Sequence, residues 1–297
     1  MRAQMTNHQP LLETVTVVVV TFNSAHCLPS LGRCIGLCPN VIVVDNASDD
    51  GCRELIKQYL PRAQAINLDK NLGFGAANNR ALKHITTPFT LLLNPDCEIS
   101  LASIEQLIKT AHLWPNAAMV APQLYGSSQK PEINYRWPNF LWKSKGPGAI
   151  SGPACVGFLC GAAILLRNKL FENNFFDEGF FLYYEDDDLC ARLFKQKKAL
   201  IIDPAAKAIH QSRGSVRGSH PLRGEYLRGY HHVQSKLIYT KKYFGDFEAM
   251  KLVYFLFFTT LLALPLRIIL FNPKIFFRML GRLNGICRWN ATKRCDT

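Results

Sequence analysis

The sequence predicts an α/β protein: a mostly parallel sheet flanked by helices, followed by a basic, apolar helical appendage. Three observations carry this expectation. Residues 15–20 and 41–44 are β-branched runs without a polar break, the pattern of strands covered on both faces. Such runs alternate with stretches of helical apolar spacing, as parallel sheets require. Charge is also unevenly divided, with 15 Lys/Arg against 17 Asp/Glu in residues 1–190 and 20 against 5 in residues 191–297. The net charge of +13 therefore belongs to the last third of the chain.

The elements follow in order. The first strand ends at Thr21-Phe22-Asn23-Ser24 and gives way to a modest helical pattern over 28–37. The second ends at Asp45-Asn46-Ala47-Ser48-Asp49-Asp50, where Ser48 or Asp49 is placed to cap a helix running through Leu55, Ile56 and Tyr59. Residues 63–68 read as a third strand, and 74–84 as a helix opened by Gly73 and Gly75. Phe89–Leu93 is a fourth strand, ending at Asn94-Pro95-Asp96, with a helix over Leu101–Leu113. Residues 126–153 are rich in Pro, Gly, Ser and aromatics and read as a long surface segment, a length that in compact domains often serves function. A buried apolar element (156–166), an acidic helix from about 185 to 197 and a short strand (199–202) complete a main domain of residues 12–245.

Composition narrows the class. An apolar content of 48% supplies a core and excludes a disordered chain. The ten cysteines show no CxxC pair and no zinc spacing, and several sit inside apolar runs as small hydrophobes, which indicates a reducing compartment. Residues 1–10 are polar and lack an apolar signal core, so export by that route is not expected and the Asn290-Ala291-Thr292 sequon reads as chance.

In an open parallel sheet, ligands bind beyond the C-terminal strand ends. Three strand ends here carry polar clusters, at residues 21–24, 45–50 and 94–96. Singly, each reads first as a set of capping residues; three on the same rim point instead to a ligand site. A nucleotide lying there would find Asp45 as an acceptor for a base N–H or ribose hydroxyl, and Asp96 placed to hold a divalent ion. Residues 71–80 resemble a dinucleotide glycine loop but lack its third glycine and do not follow the first strand. Their glycines admit a close ligand, with Arg80 nearby as a phosphate partner or a surface cation.

Four consecutive carboxylates, Glu185-Asp186-Asp187-Asp188, form the most informative stretch. Burying part of such a cluster raises the proton affinity of at least one member, as a base or an ion site demands. The plain alternative is a solvated helix start, which the helix dipole favours. His210 leads into a Gly/Ser segment containing Arg213 and Arg217, an arrangement suited to a diphosphate that is held and then released.

Taken together, these residues resemble the family 2 inverting glycosyltransferases of GT-A fold, and within them the rhamnosyltransferase-like members that build bacterial surface polysaccharides. The likeness runs from Val15 to Lys242. It rests on Val-Val-Thr-Phe-Asn-Ser (19–24), Val-Val-Asp-Asn-Ala-Ser-Asp (43–49), Asn-Leu-Gly-Phe-Gly-Ala-Ala-Asn (71–78), Leu-Asn-Pro-Asp (93–96), Phe-Asp-Glu-Gly-Phe-Phe-Leu-Tyr-Tyr-Glu-Asp-Asp-Asp-Leu (176–189) and His210. The resemblance implies that Thr21, Asn23 and Asp45 line a nucleotide pocket with Asn71 and Gly73 close by. It implies that Asp96 and His210 ligate Mg²⁺ or Mn²⁺, and that Asp186 is the base. Glu185 and Asp188 would shape the base's surroundings, or Asp188 would pair with Arg192 at i+4. Asn94 replaces the first acidic residue of the family's Asp-x-Asp motif, which weakens the expectation of metal dependence. The donor implied first is dTDP-L-rhamnose, with UDP-hexoses next; the acceptor is a saccharide or a polyprenyl-diphosphate-linked sugar in surface polysaccharide or lipopolysaccharide synthesis.

The tail, residues 246–297, contains an uncharged run over 252–266, short of the roughly 20 residues that cross a bilayer, interrupted by Pro265 and Arg267. With Lys241, Lys242, Arg278, Arg282 and Arg288 around it, it suits a helix lying in an anionic membrane face, here the inner face of the cell membrane. A true span through Phe271, with Arg267 reaching to the interface, and an apolar helix packed on the domain are the alternatives. Two other functions stay open at this point. A sugar-phosphate nucleotidyltransferase would want a Gly-rich phosphate loop after the first strand, which residues 21–24 lack. A basic membrane- or nucleic-acid-binding protein would use the cationic third, but acidic clusters on the rim oppose nucleic acid there.

Overall fold

The computed structural model describes residues 9–126, 128–137, 146–171, 175–211, 214–216 and 221–292. They form two compact units, one of Met1–Asp177 with Asp186–Arg217, the other of Glu178–Glu185 with Gly218–Thr297.

The first unit contains α1 (Gln9–Leu12), β1 (Val15–Thr21), α2 (Leu28–Ile35), β2 (Asn40–Asp45), α3 (Cys52–Tyr59), β3 (Gln64–Asn67), α4 (Phe74–Leu82), β4 (Phe89–Leu93), β5 (Cys97–Ile99) and α5 (Leu101–Leu113). It continues with β6 (Ala117–Tyr125), β7 (Pro131–Glu132), β8 (Tyr135–Arg136), β9 (Ala154–Val156), β10 (Phe158–Leu159), β11 (Ala163–Arg167), α6 (Glu185–Lys195) and β12 (Ala199–His210). A ten-stranded sheet has the order β3-β2-β1-β4-β11-β6-β12-β5, with β7 and β9 attached beside it; β8 and β10 pair separately.

Side-chain alternation makes β1 the spine of both cores. Val15, Val17 and Val19 enter the layer with Leu28, Ile56 and Ile104, while Val18 and Val20 enter the opposite layer with Ala77, Ile164 and Leu189. Every residue of β1 is buried, as expected of a strand covered on both faces. From β3 to β4 all pairings are parallel. Beyond β4 the sheet is mixed, because β11 runs antiparallel between β4 and β6 and β12 is parallel to β6 but antiparallel to β5.

Three local readings are corrected. The apolar run 156–166 is not one element: Gly161 separates β10 from β11. The strand expected over 199–202 continues to His210, absorbing Pro204 at a register shift between Asp203 and Lys207, where a proline does not interrupt the ladder. Helix α3 is capped by neither Ser48 nor Asp49; its N-cap is Gly51 at φ 81°, and Asp50 Oδ1 accepts from Cys52 N at 3.2 Å.

The second unit contains α7 (Pro221–Phe244), α8 (Asp246–Ile269) and α9 (Pro273–Thr292). Its core gathers Val233, Leu237, Val253, Leu256, Ile286 and Trp289. Glycines set the approach of α7 to α9: a Cβ on Gly281 would lie 1.9 Å from Tyr226 O, and one on Gly229 would lie 1.9 Å from Arg278 O. Residues 246–267 of α8 are long and apolar enough to cross a membrane by length and composition, with mean hydropathy 1.8 and 22% of that stretch buried. Phe255, Phe258 and Leu262 on α8 are exposed.

Candidate active site

The C-terminal ends of β1, β2, β4 and β12 and the N-terminal end of antiparallel β11 form one rim. The expected site residues divide among its turns. Asn23 follows β1 at φ 52° and Ala47 follows β2 at φ 66°, left-handed conformations that asparagine tolerates and alanine adopts at a cost of about 1–2 kcal/mol. The two turns are tied together: Asn23 N donates to Ser48 Oγ at 3.0 Å, and Asp49 N donates to Asn23 Oδ1 at 3.0 Å.

Asp45 is fully buried. Arg53 Nε donates to its Oδ2 at 2.7 Å, Ser48 N to the same oxygen at 3.3 Å, and Thr21 Oγ1 to Oδ1 at 3.4 Å. The carboxylate thus anchors the turn as well as facing the rim. Asn46 carries the next link: it receives Leu72 N at 2.8 Å and donates to Asn71 Oδ1 at 2.9 Å, which in turn receives Gly73 N at 2.9 Å. Gly73 stands at φ 86° and ψ 173°, a glycine conformation that lets the chain turn directly into α4. Arg80 lies two turns along α4, about 10 Å from Gly73 along the helix axis.

On the far side of β4, Gln211 N donates to Asp96 O at 3.0 Å and Gly214 N to Asp96 Oδ2 at 2.9 Å. Asp96 Oδ1 faces His210 Nε2 at 3.6 Å. A side chain at 214 would strike Gln211 O at 2.7 Å, so glycine is required for this approach. His26 Nε2, in the turn after β1, meets Gly214 O at 2.6 Å and holds the same segment. Arg213 and Arg217 lie outside the described residues.

The acidic helix joins this rim through two residues. Gly161 N donates to Asp186 Oδ2 at 3.2 Å, and the next residue, Ala162, accepts from Asn94 N at 2.8 Å. Asp186, Asn94 and Asp96 are thereby placed at one end of the sheet, with Phe74 of α4 beside Gly161. Burial raises the Asp186 carboxyl, against the bonds it accepts from Gly161 N and Asp187 N. Asp187 is pushed up to about 7 by burial first and the Asp186 charge second. Arg136 opposes both shifts; it pairs with Asp187 and lies 3.6 Å over the Phe158 ring. Asp188 is fully buried and takes Arg192 Nε at 2.8 Å, while Glu185, the first residue of α6, is buried.

The chemistry of the donors suits a hard divalent ion. Asn94 Oδ1 and Asp96 Oδ1 are both buried and accept no hydrogen bond among the described residues, and the His210 ring adjoins the second. Oxygen donors left open beside an imidazole are what Mg²⁺ or Mn²⁺ takes, with substrate phosphates filling the rest of its shell. Among the described residues no group of three His, Cys, Asp or Glu side chains is gathered.

Several contributors escaped sequence reasoning. Asn46 stood inside a quoted motif but was overshadowed by Asp45. Gly161 had a readable signal, a glycine breaking an apolar run. Gly214 lay in the Gly/Ser segment after His210; Arg136 and His26 had no signal, since each acts through a contact distant in sequence.

A mixed sheet that gathers acidic and polar strand ends on one rim is a GT-A arrangement. The chain belongs to glycosyl transferase family 2, whose model matches residues 16–175. It is 26% identical over 241 residues to an N-acetylglucosaminyl-diphospho-decaprenol L-rhamnosyltransferase of Mycobacterium tuberculosis, covering 69% of this chain and 78% of that one. The fold matches a mannosyltransferase from Pyrobaculum calidifontis in complex with GDP-Man and Mn²⁺, with TM-score 0.54 and 15% identity over 95% of this chain and 88% of that one. It also matches GalNAc-T7 with UDP, GalNAc and Mn²⁺, with TM-score 0.56 and 12% identity over 77% of this chain; the chain spans 47% of that enzyme.

Proposed function

We propose that the protein transfers a sugar, with inversion, from a nucleoside diphosphate to a hydroxyl of a polyprenyl-diphosphate-linked saccharide in cell-surface glycan synthesis. The donor we favour is dTDP-L-rhamnose, on the likeness to the mycobacterial rhamnosyltransferase. A UDP-hexose is the second donor, supported by the GT-A neighbour that binds UDP. The observation that carries the reading is the Gly161-Ala162 link, which sets Asp186 and the Asn94–Asp96–His210 group on one rim.

Residues of the chain divide the work. Thr21, Asn23, Asp45, Asn71 and Gly73 shape the nucleotide pocket, with Asn46 fixing its turn. Asp186 accepts the proton of the acceptor hydroxyl as that oxygen bonds to the anomeric carbon; the anomeric carbon–phosphate oxygen bond breaks and its electron pair leaves with the nucleoside diphosphate. A base with a raised proton affinity serves this step near neutral pH. Asp187, held by Arg136, and Asp188, held by Arg192, fix the start of α6 so that Asp186 keeps its aim. Asp96 and His210, with Asn94, would hold a divalent ion, which neutralises charge on a departing diphosphate.

The exposed apolar face of α8, within a basic tail, supports attachment to the cytoplasmic face of the membrane, where a polyprenyl-linked acceptor resides. Flotation with phosphatidylglycerol vesicles checks this, and failure of the full chain to float contradicts it. The activity itself is tested by incubating the protein with a panel of nucleotide sugars, with and without Mn²⁺, and a short polyprenyl-diphosphate acceptor. Transfer from dTDP-rhamnose is the expected result; absence of transfer or donor hydrolysis with every sugar refutes the reading.

A further inference from the structure

Three segments of the rim are joined by a contact that the proposed donor and base groups do not include. The turn after β1 is held on one side by the turn after β2: Asn23 N donates to Ser48 Oγ, and Ala25 N donates to Asp50 Oδ2 at 2.8 Å. Its other side reaches the chain that follows β12. His26 Nε2 meets Gly214 O at 2.6 Å across 188 positions of sequence, and Cys27 Sγ donates to the same oxygen at 3.8 Å. A carbonyl oxygen only accepts, so His26 Nε2 carries the proton of this bond.

The glycine whose carbonyl His26 holds is also the one whose amide holds Asp96. Gly214 N donates to Asp96 Oδ2 at 2.9 Å and shares its hydrogen with Gln211 O at 2.7 Å. The fit is close, since a Cβ on Gly214 would lie 2.7 Å from Gln211 O and 3.3 Å from Asp96 Cβ. One oxygen of the Asp96 carboxylate is thereby committed. The other, Oδ1, is buried, accepts no hydrogen bond among the described residues and lies 3.6 Å from His210 Nε2. A carboxylate with one oxygen fixed presents the other in a single direction, and hydrogen bonds of this kind orient metal-ligating side chains.

We propose that His26 is a positioning residue for the cation group: by holding Gly214 it keeps that amide on Asp96 Oδ2 and leaves Oδ1 turned toward His210. The inference rests on the cation role given to Asp96 and His210 in the function proposed above. His26 itself touches neither the metal nor the sugar in this role. The simpler alternative is a staple that closes a surface turn, which would affect stability and leave metal affinity alone.

The test is titration of the full-length protein with Mn²⁺, without nucleotide, with unbound Mn²⁺ read by electron paramagnetic resonance. His26→Leu should weaken binding about fivefold, the effect of one net hydrogen bond. His26→Gln, which keeps a donor near the Nε2 position, should regain most of it. Gly214→Ala, through its clash with Gln211 O, should weaken binding to a similar degree. The double variant His26→Leu/Gly214→Ala should bind no more weakly than the poorer single one, because both act through one contact. In metal-free protein the Gly214 amide should exchange its hydrogen faster in His26→Leu. Thermal melts establish that each variant folds. Unchanged Mn²⁺ affinity in His26→Leu, with or without a lower melting temperature, makes His26 a staple and overturns the inference. Additive losses in the double variant overturn the shared route through Gly214. Absence of Mn²⁺ binding by the unaltered protein overturns the inference at its metal end. Sugar transfer is judged by the donor panel alone, so loss of either conclusion is distinguishable from loss of the other.

Discussion

Replacing Arg136 by Met should move the acidic limb of the pH–activity profile upward by about one unit. In the role proposed for it, Asp186 must be ionised to accept a proton, so activity should rise with pH through the apparent pKa of the Asp186/Asp187 pair. Arg136 holds that pair down against burial. The Arg136 and Asp187 side chains are 27% and 20% exposed, so the ion pair is partly screened. A charge-assisted bond there contributes about 1.5 kcal/mol, the low end for charged groups, and 1.36 kcal/mol corresponds to one pKa unit. The variant should be about tenfold slower well below the limb and near normal well above it. Methionine retains bulk over the Phe158 ring, which separates the charge effect from lost packing. The assay is kcat/KM for transfer between pH 5 and 9; a limb that stays in place or moves to lower pH refutes the reasoning. The same shift has a stability sign. A carboxyl raised from 3.8 to about 7 favours the fold while protonated, so Asp187's contribution is full below about pH 4 and lost as pH rises through about 7.

Other outcomes follow from single contacts. Gly281→Ala places a methyl 1.9 Å from Tyr226 O and should destabilise the helical unit by about 3 kcal/mol in denaturant melts. A loss below a few tenths would show that the helices part freely. Asn46→Ala removes the buried bonds to Leu72 N and Asn71 Oδ1, costing about 2 kcal/mol, and should weaken donor binding by calorimetry. Unchanged affinity would remove Asn46 from the donor site. His210→Ala should raise the Mn²⁺ concentration needed for half-maximal transfer without lowering thermal stability; an unaltered Mn²⁺ dependence would dismiss His210 as a ligand.

Much of this architecture is legible in the chain because its strands are short, apolar and separated by helices of ordinary length. Residues 15–20 and 41–44 could be little else than doubly covered strands, and the polar turns after them mark the rim. Among the strands, legibility fails beyond β4: β5 was not foreseen. Nothing local announces that β11 runs antiparallel or that β12 extends past Pro204 to His210, because partners on β6 and β5 decide both. β6 itself went unread: residues 117–125 lack a clean alternation because both faces are buried. In the site, residue types that carry chemistry were visible, and those that position them were not. Asp186 could be named from the acid quartet, but the Gly161 amide that aims it, and Arg136 from a Pro/Gly-rich segment, are contacts across 25 and 51 positions of sequence.

The central claim is that the acid helix and the Asp96–His210 pair serve one reaction. Asp186→Asn measures it most directly: nucleotide-sugar binding by calorimetry should remain within about twofold of the unaltered protein while transfer to acceptor disappears. Substantial turnover by Asp186→Asn, with donor binding intact, would contradict the account.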